Sequence, residues 1–197
     1  GFVYALDTAS AAVRLGRARA ALVVAAERFS GWMDMTDRST CIILGDGAGA
    51  VVVGAAEENG IGPIVWGSDG SQFDAVAIDE HTRTFRQEGQ AVYRWATSQM
   101  VPVAFEACRR AGVDPSELVA FVPHQANLRI IDAIAKKLGV PDAIVARDIV
   151  TSGNTSAATI PIALSRMAEH GELPAGPALL LGFGSGLAYA AQVVLTP

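Results

Sequence analysis

Phe121-Val122-Pro123-His124-Gln125-Ala126-Asn127-Leu128-Arg129 is the stretch that decides the fold. The apolar run Leu118 to Val122 reads as a short buried strand, closed by Pro123 and His124. An amphipathic helix follows. Leu128, Ile131, Ile134, Ala135 and Leu138 recur at helical spacing, and Gly139 with Pro141 stops it. His124 therefore stands at a strand-to-helix corner beyond the carboxyl end of a strand, where α/β proteins handle ligands. Further on, Ser152-Gly153-Asn154-Thr155-Ser156-Ala157-Ala158 is a second polar corner that opens a second helix. A histidine and an asparagine at two such corners could meet over one substrate. A single corner histidine is more often a hydrogen-bonded structural residue. Against that, histidine is an unusual choice after a buried strand, and Asn154 sits among small residues that leave a ligand room to approach.

Outward from this unit, the pattern continues as α/β. Residues 1 to about 16 carry Val3, Ala5, Leu6, Ala12, Val13 and Leu15 and end at Gly16, which predicts a largely buried helix. Ala20 to Ala26 is a continuous apolar strand, the pattern of a parallel strand covered on both faces. Glu27 to Arg38 reads as a polar and aromatic loop, followed by Cys41 to Leu44, the turn Gly45 to Ala50 and the strand Val51 to Val53. These glycines lead into a strand and not a helix, so no helix N-terminus is there to hold a phosphate. Close backbone packing between strands explains them better. Glu57 to Gly62 is a polar connection, and Asp69 to Arg86, poor in apolar residues, reads as a surface loop or flap. Glu88 to Ala111 places Val92, Trp95, Ala96, Met100, Val103, Ala104 and Ala107 on one helical face, with a kink or break expected at Pro102. Ile144 to Ala146, a helix from about Ala157 to His170, the apolar run Ala178 to Leu181, the turn Gly182-Phe183-Gly184-Ser185-Gly186 and a strand Tyr189 to Leu195 complete the chain.

Helix, glycine, apolar strand, glycine-rich turn and strand occur at 1–53 and again at 155–195, which predicts two related halves. The division is expected at 1–56 and 57–197. The chain opens on Gly1-Phe2-Val3 without a methionine and reads as cut into the start of a helix, so a longer protein is expected.

Composition narrows the function classes. The 197 residues are 51% hydrophobic and 18% charged, with a net charge of −5, the profile of a packed globular chain. No basic excess or motif invites nucleic acid. No apolar run approaches the roughly 18 residues a membrane helix needs. Cys41 and Cys108, in apolar or helical contexts, form neither a disulfide framework nor a metal motif, so no metal and a cytoplasmic location are expected.

Pro123-His124-Gln125-Ala126-Asn127 together with Gly153-Asn154-Thr155-Ser156-Ala157-Ala158 resembles the histidine and asparagine motifs of β-ketoacyl-acyl-carrier-protein synthase III, a thiolase-fold condensing enzyme. The resemblance implies a thiolase-like α/β fold of duplicated βαβαβ halves, with mixed five-stranded sheets layered with helices. It implies a decarboxylative condensation of an acyl-CoA starter with malonyl-acyl-carrier protein, using thioester substrates and no further cofactor, in a homodimer. His124 and Asn154 become the catalytic pair. Gly1-Phe2 matches the end of a Cys-x-Gly-Phe pattern, which puts the nucleophilic cysteine two residues before Gly1; the 197 residues alone are then expected to be inactive. Phe183 and the Gly184-Ser185-Gly186 turn match the malonyl and oxyanion site, although the family has glycine where Ser185 stands. Gly89 and Asn127 match the pantetheine tunnel, and Arg38 matches an arginine near the CoA phosphates. Arg129, Lys136 and Lys137, extended by Arg94, form a basic edge for docking an acidic carrier protein; a merely solvated helix face explains the same residues.

The match is poorest at 60–86, which leaves the starter acyl group open. Phe29, Trp32, Ile42 and Ile43 either bound the acyl pocket or pack in the core. Two other readings keep the fold: a relative that primes polyketides or transfers acyl groups with the same His/Asn pair, and a non-catalytic partner subunit without the nucleophile.

Overall fold

The computed structural model describes residues 1–197. The chain runs α1 (Phe2–Arg14), β1 (Ala20–Glu27), β2 (Gly47–Gly54), β3 (Val65–Ser68), β4 (Val76–Ile78), β5 (Phe85–Gln87), α2 (Gly89–Ala111), β6 (Ala120–Pro123) and α3 (Leu128–Leu138), then β7 (Ile144–Val145), α4 (Ile149–Ser152), α5 (Thr159–Glu169), β8 (Gly176–Phe183) and β9 (Ala188–Thr196).

Five strands in the order β3-β9-β8-β6-β7 form a mixed sheet at the centre. β6 runs parallel to β7 and β8, and β9 runs antiparallel to β8 and β3. Both faces are sealed, and the two-residue period of the strands assigns each side chain to one of two cores. Phe121, Leu179 and Leu181 pack with Met100, Ala104 and Ile134 of α2 and α3. Ala120, Val122, Ala178 and Leu180 pack with Phe2, Val3 and Leu6 of α1 and Ile160 and Ala163 of α5. Each such leucine or isoleucine contributes on the order of 1.5–3 kcal/mol by leaving water. The antiparallel pair β1–β2, in register from Ala20 opposite Gly54 to Glu27 opposite Gly47, covers the outer side of α1 and α5 through Val23 and Val53. The layers are thus strand pair, helices, five-stranded sheet, helices.

Several expectations require correction. β1 is antiparallel, not parallel, and only one of its faces is covered: Leu22 is 66%, Val24 59% and Val52 72% exposed. An unbroken apolar run does not reveal which face finds a partner. β2 begins at Gly47, inside the expected turn, and Gly47 and Gly49 pack against the α5 side and not between strands. A Cβ on Gly49 would lie 2.9 Å from Pro161 Cγ, and one on Gly47 would lie 2.8 Å from Thr155 Cγ2. Residues 69–86 hold a 3-10 turn and the β4–β5 hairpin with Ala75 and Phe85 buried, more than a surface loop. The helix over 89–111 passes Pro102 unbroken. The carbonyl that Pro102 leaves without its helical partner is that of Ser98, an exposed residue, so water can satisfy it. No local pattern predicts β3; its pairing with β9 defines it.

The Gly49 contact gives a stability test. Gly49→Ala should cost about 1–3 kcal/mol by overpacking against Pro161, whereas Gly54→Ala, which meets nothing within 4 Å, should stay within about 0.5 kcal/mol. Urea midpoints that are equal for the two variants would contradict the packing account.

Candidate active site

The strand-to-helix corner is held by backbone bonds. Pro123 pairs with Leu181 across the sheet, and the N–H of His124 continues the ladder by donating to the Leu181 carbonyl at 2.7 Å. The Ala126 N–H donates to the His124 carbonyl, closing the turn, and the Asn127 side chain accepts the Arg129 N–H at 2.9 Å to cap α3. Gly139, with φ +71°, ends that helix. Gln125, fully buried, was not singled out from the sequence. Its Nε2 donates to the carbonyls of Pro123 (2.6 Å) and Ala146 (3.3 Å), and its Oε1 accepts the Ile149 N–H (3.1 Å). Gln125 thereby stitches the His124 corner to β7 and to α4, the element that leads into Asn154. A glutamine between a buried strand and a helix is the only local signal of this role.

The second corner is fastened as firmly. The Asn154 N–H donates to the Ile43 carbonyl and the Gly45 N–H donates to the Asn154 carbonyl, both at 2.9 Å. Gly45 must be glycine for this approach: a Cβ there would lie 2.6 Å from the Ser152 carbonyl oxygen. Ser156 adopts φ +51°, unusual for a residue with a side chain, and its N–H donates to Asn154 Oδ1 at 2.9 Å. With Oδ1 so engaged, the amide NH2 of Asn154 is the group left to face a ligand.

His124 and Asn154 line the same cavity of about 820 Å³, together with Gly1, Phe2 and Phe183. Phe183 meets the imidazole edge-on, with ring centroids 5.2 Å apart. On the other side, Thr159 Oγ1 lies 2.8 Å from His124 Nδ1. Desolvation of the ring by its surroundings pushes the imidazole down from 6.5 to about 4. His124 is therefore neutral at pH 7. The pair can present two uncharged polar groups to a substrate oxygen in a largely apolar enclosure.

The other expected residues divide. Phe183, Ser185, Gly89, Asn127, Arg94 and Arg129 all line this cavity. The Ser185 hydroxyl is not free for a ligand, because it donates to the Val76 carbonyl at 2.7 Å and holds the turn to β4. Arg38 lies outside the cavity, exposed on the loop between β1 and β2. Lys136 and Lys137 are exposed at the far end of α3 and do not reach the cavity; Lys137 Nζ donates to the Thr97 carbonyl at 2.7 Å, tying α3 to α2. Phe29 and Ile43 line the cavity, whereas Trp32 lies under Arg83, 5.1 Å from its guanidinium carbon, and Ile42 is 80% exposed; neither of the latter is core or pocket wall. Neither cysteine lines the cavity. Cys108 is buried in α2, where desolvation and then the Asp114 charge push its thiol up to about 11. No group of three or more His, Cys, Asp or Glu side chains is placed to hold a metal ion. The cavity wall formed by Val76, Ala77, Ile78, Phe85 and Gln87 escapes the sequence pattern, because the apolar run Ala75 to Ile78 is short and flanked by charged residues.

The layers and the two corners define a thiolase-like α/β fold, of which this chain holds one five-stranded sheet and two strand pairs, β1–β2 and β4–β5. Residues 1–70 match the family described as 3-oxoacyl-[acyl-carrier-protein] synthase III, and residues 108–196 match its C-terminal region. β-Ketoacyl-[acyl-carrier-protein] synthase III 4 of Streptomyces coelicolor is 55% identical over the whole chain. Two solved structures superpose on the full chain: a priming β-ketosynthase from a polyketide biosynthetic pathway (TM-score 0.95, 45% identity) and 3-oxoacyl-(acyl carrier protein) synthase III from Pseudomonas aeruginosa (TM-score 0.94, 40% identity). The chain spans 64% of the Streptomyces relative's length and 63% and 64% of those two structures. It belongs to the β-ketoacyl-acyl-carrier-protein synthase III family.

The depressed basicity of His124 is measurable. Its imidazole should titrate near 4 by NMR and not near 6.5. Because the unfolded chain then binds more protons between those values, folding stability should fall as pH drops from about 6.5 towards 4, and His124→Asn should flatten that slope. A titration midpoint at or above 6.5 would contradict the neutral state of this half-buried ring.

Proposed function

We propose that the protein containing this chain catalyses a decarboxylative Claisen condensation between an acyl-CoA starter and malonyl-acyl-carrier protein, initiating fatty acid synthesis. The observation that carries this reading is the convergence of two neutral, orientation-fixed polar side chains, His124 and Asn154, on one cavity that also receives the N-terminus of α1. The family resemblance puts the acyl-bearing cysteine two positions before Gly1, where the free N–H groups of a helix start favour a thiolate. The acyl group passes from CoA to that sulfur, releasing the CoA thiol. Malonyl thioester then loses CO2 by breaking its carboxyl-bearing C–C bond, and the electron pair becomes an enolate whose oxygen accepts hydrogen bonds from His124 and Asn154. The enolate carbon attacks the acyl carbonyl, forming the new C–C bond and expelling the cysteine thiolate. Two uncharged donors suit this sequence, since neither brings a charge that must be desolvated at the reacting centre.

Phe183 borders the malonyl site, and the Gly184-Ser185-Gly186 backbone supplies a donor to the acyl oxyanion. Gly89 and Asn127 flank the pantetheine arm, and exposed Arg38 takes the CoA phosphates. Arg94 and Arg129 at the cavity mouth meet the acidic carrier protein, with Lys136 and Lys137 continuing the basic edge. The reading further assigns residues 1–56 to the end of one thiolase-like half and 57–197 to the other, in a cytoplasmic homodimer; no helix here is long and apolar enough to cross a membrane. A second reading, polyketide priming with the same pair, draws support from the likeness to the priming β-ketosynthase.

In the complete protein, His124→Ala and Asn154→Ala should each lower CO2 release from malonyl-carrier protein by roughly 10²–10³-fold while acylation by acyl-CoA persists. Undiminished CO2 release would overturn the assignment. Arg94→Glu and Arg129→Glu should raise KM for the carrier-protein substrate, steeply at low salt, and leave malonyl-CoA turnover unchanged. Equal effects on both substrates would exclude a docking role.

A further inference from the structure

The β4–β5 hairpin walls the cavity with Val76, Ala77, Ile78 and Phe85, and hydrogen bonds clasp it along both of its outer edges. Within the hairpin, the Glu88 N–H donates to the Ala75 carbonyl at 2.9 Å and the Asp79 N–H to the Thr84 carbonyl at 2.8 Å. Bonded pairs alternate along an antiparallel ladder, so the backbone polar groups of Val76 and Phe85 point away from the opposite strand. Both residues find partners outside the hairpin. The Phe85 N–H donates to the Trp32 carbonyl at 2.7 Å, and the Phe85 ring meets Phe29 edge-on, with centroids 5.8 Å apart. The Val76 carbonyl accepts the Ser185 hydroxyl at 2.7 Å. Ser185 belongs to the turn between β8 and β9, where the Gly184 N–H donates to the Ala188 carbonyl at 2.9 Å and Gly186 adopts φ +72°. Glycine, the residue that the family resemblance places at this position, has no hydroxyl to make the Val76 bond. The link is therefore a property of this chain's own sequence.

We infer that Ser185 is a positioning residue: its hydroxyl keys the turn that carries the acyl-oxyanion donor to the hairpin wall of the cavity. The catalytic consequence rests on the function proposed above; the mechanical link does not. Trp32 and Phe29 fix one edge of the hairpin, and the bond from Ser185 makes the turn take its place from the other edge. A misplaced N–H stabilises a developing oxyanion less, so acyl transfer to the sulfur slows without loss of substrate binding. Ser185 is exposed, so water competes for its hydroxyl, and one such bond is worth roughly 2–10-fold.

In the complete protein, amide hydrogen exchange should quicken about 2–10-fold in Ser185→Ala, both over residues 76–88 and over residues 184–188. Ser185→Thr, which keeps a hydroxyl, should return both segments to the wild-type pattern. Faster exchange in one segment alone, or in neither, would overturn the inference. Rapid-quench acylation by an acyl-CoA should show the maximal rate lowered by a similar factor in Ser185→Ala and restored in Ser185→Thr, with half-saturation little changed. Enzyme acylated beforehand should release CO2 from malonyl thioester within about twofold of the wild-type rate, because His124 and Asn154 serve that step and the turn does not. An acylation rate that survives Ser185→Ala, or a fall shared equally by CO2 release, would overturn the positioning role. Absence of acylation in the wild type would count against the proposed reaction, while the exchange pattern still decides the link.

Discussion

The site depends on a short backbone clasp: Asn154 N–H to the Ile43 carbonyl, and Gly45 N–H to the Asn154 carbonyl. These two bonds join segments more than a hundred residues apart in sequence, and they hold the Asn154 corner against the Leu44–Gly45 edge. Everything around them is shaped to permit the approach. Gly45 and Gly47 leave no space for a Cβ, Gly153 turns with φ +69°, and Ser156 accepts a strained φ to deliver its N–H to the asparagine. Strain at a single residue of this kind costs on the order of 1–3 kcal/mol and persists only where the surroundings fix it. Here the surroundings are α1, α5 and the sealed face of the five-stranded sheet.

Neutrality is the second constraint. The cavity holds His124 without a carboxylate partner, and burial keeps the ring uncharged. An imidazolium would be a stronger donor, but its charge would have to be desolvated before any substrate arrived. Gln125 and Thr159 brace the ring from two sides: Gln125 sets where the corner lies, and the Thr159 hydroxyl holds Nδ1 at 2.8 Å. Preorganised dipoles of this sort need no rearrangement as charge develops.

Local pattern made part of this legible in advance. The β6–α3 unit announces itself through an apolar run, a helical repeat and the stops Gly139 and Pro141, and the Asn154 corner through its small residues. The His124 and Asn154 motifs carry the family resemblance because both sit where chain direction changes. What escaped were properties decided by distant partners. Leu22 and Val24 read as covered on both faces of their strand, yet their side of β1–β2 is open in this chain. Pro102 read as a breaker, yet its vacated bond falls on an exposed carbonyl. Residues 69–86 read as a flap because they mix charges with few apolar residues, and Ala75 and Phe85 become core only through the hairpin. Gln125 and Thr159 look like ordinary polar residues until their partners, 21 to 35 positions away, are in view.

The central claim is that the His124 imidazole and the Asn154 amide serve one oxygen atom. A crystal structure of the complete protein with a non-decarboxylating malonyl thioester analogue tests it most directly. The account predicts the analogue's thioester carbonyl oxygen within roughly 2.6–3.2 Å of both His124 Nε2 and Asn154 Nδ2. An oxygen bound instead by backbone N–H groups, with either side chain beyond hydrogen-bonding reach, would contradict it.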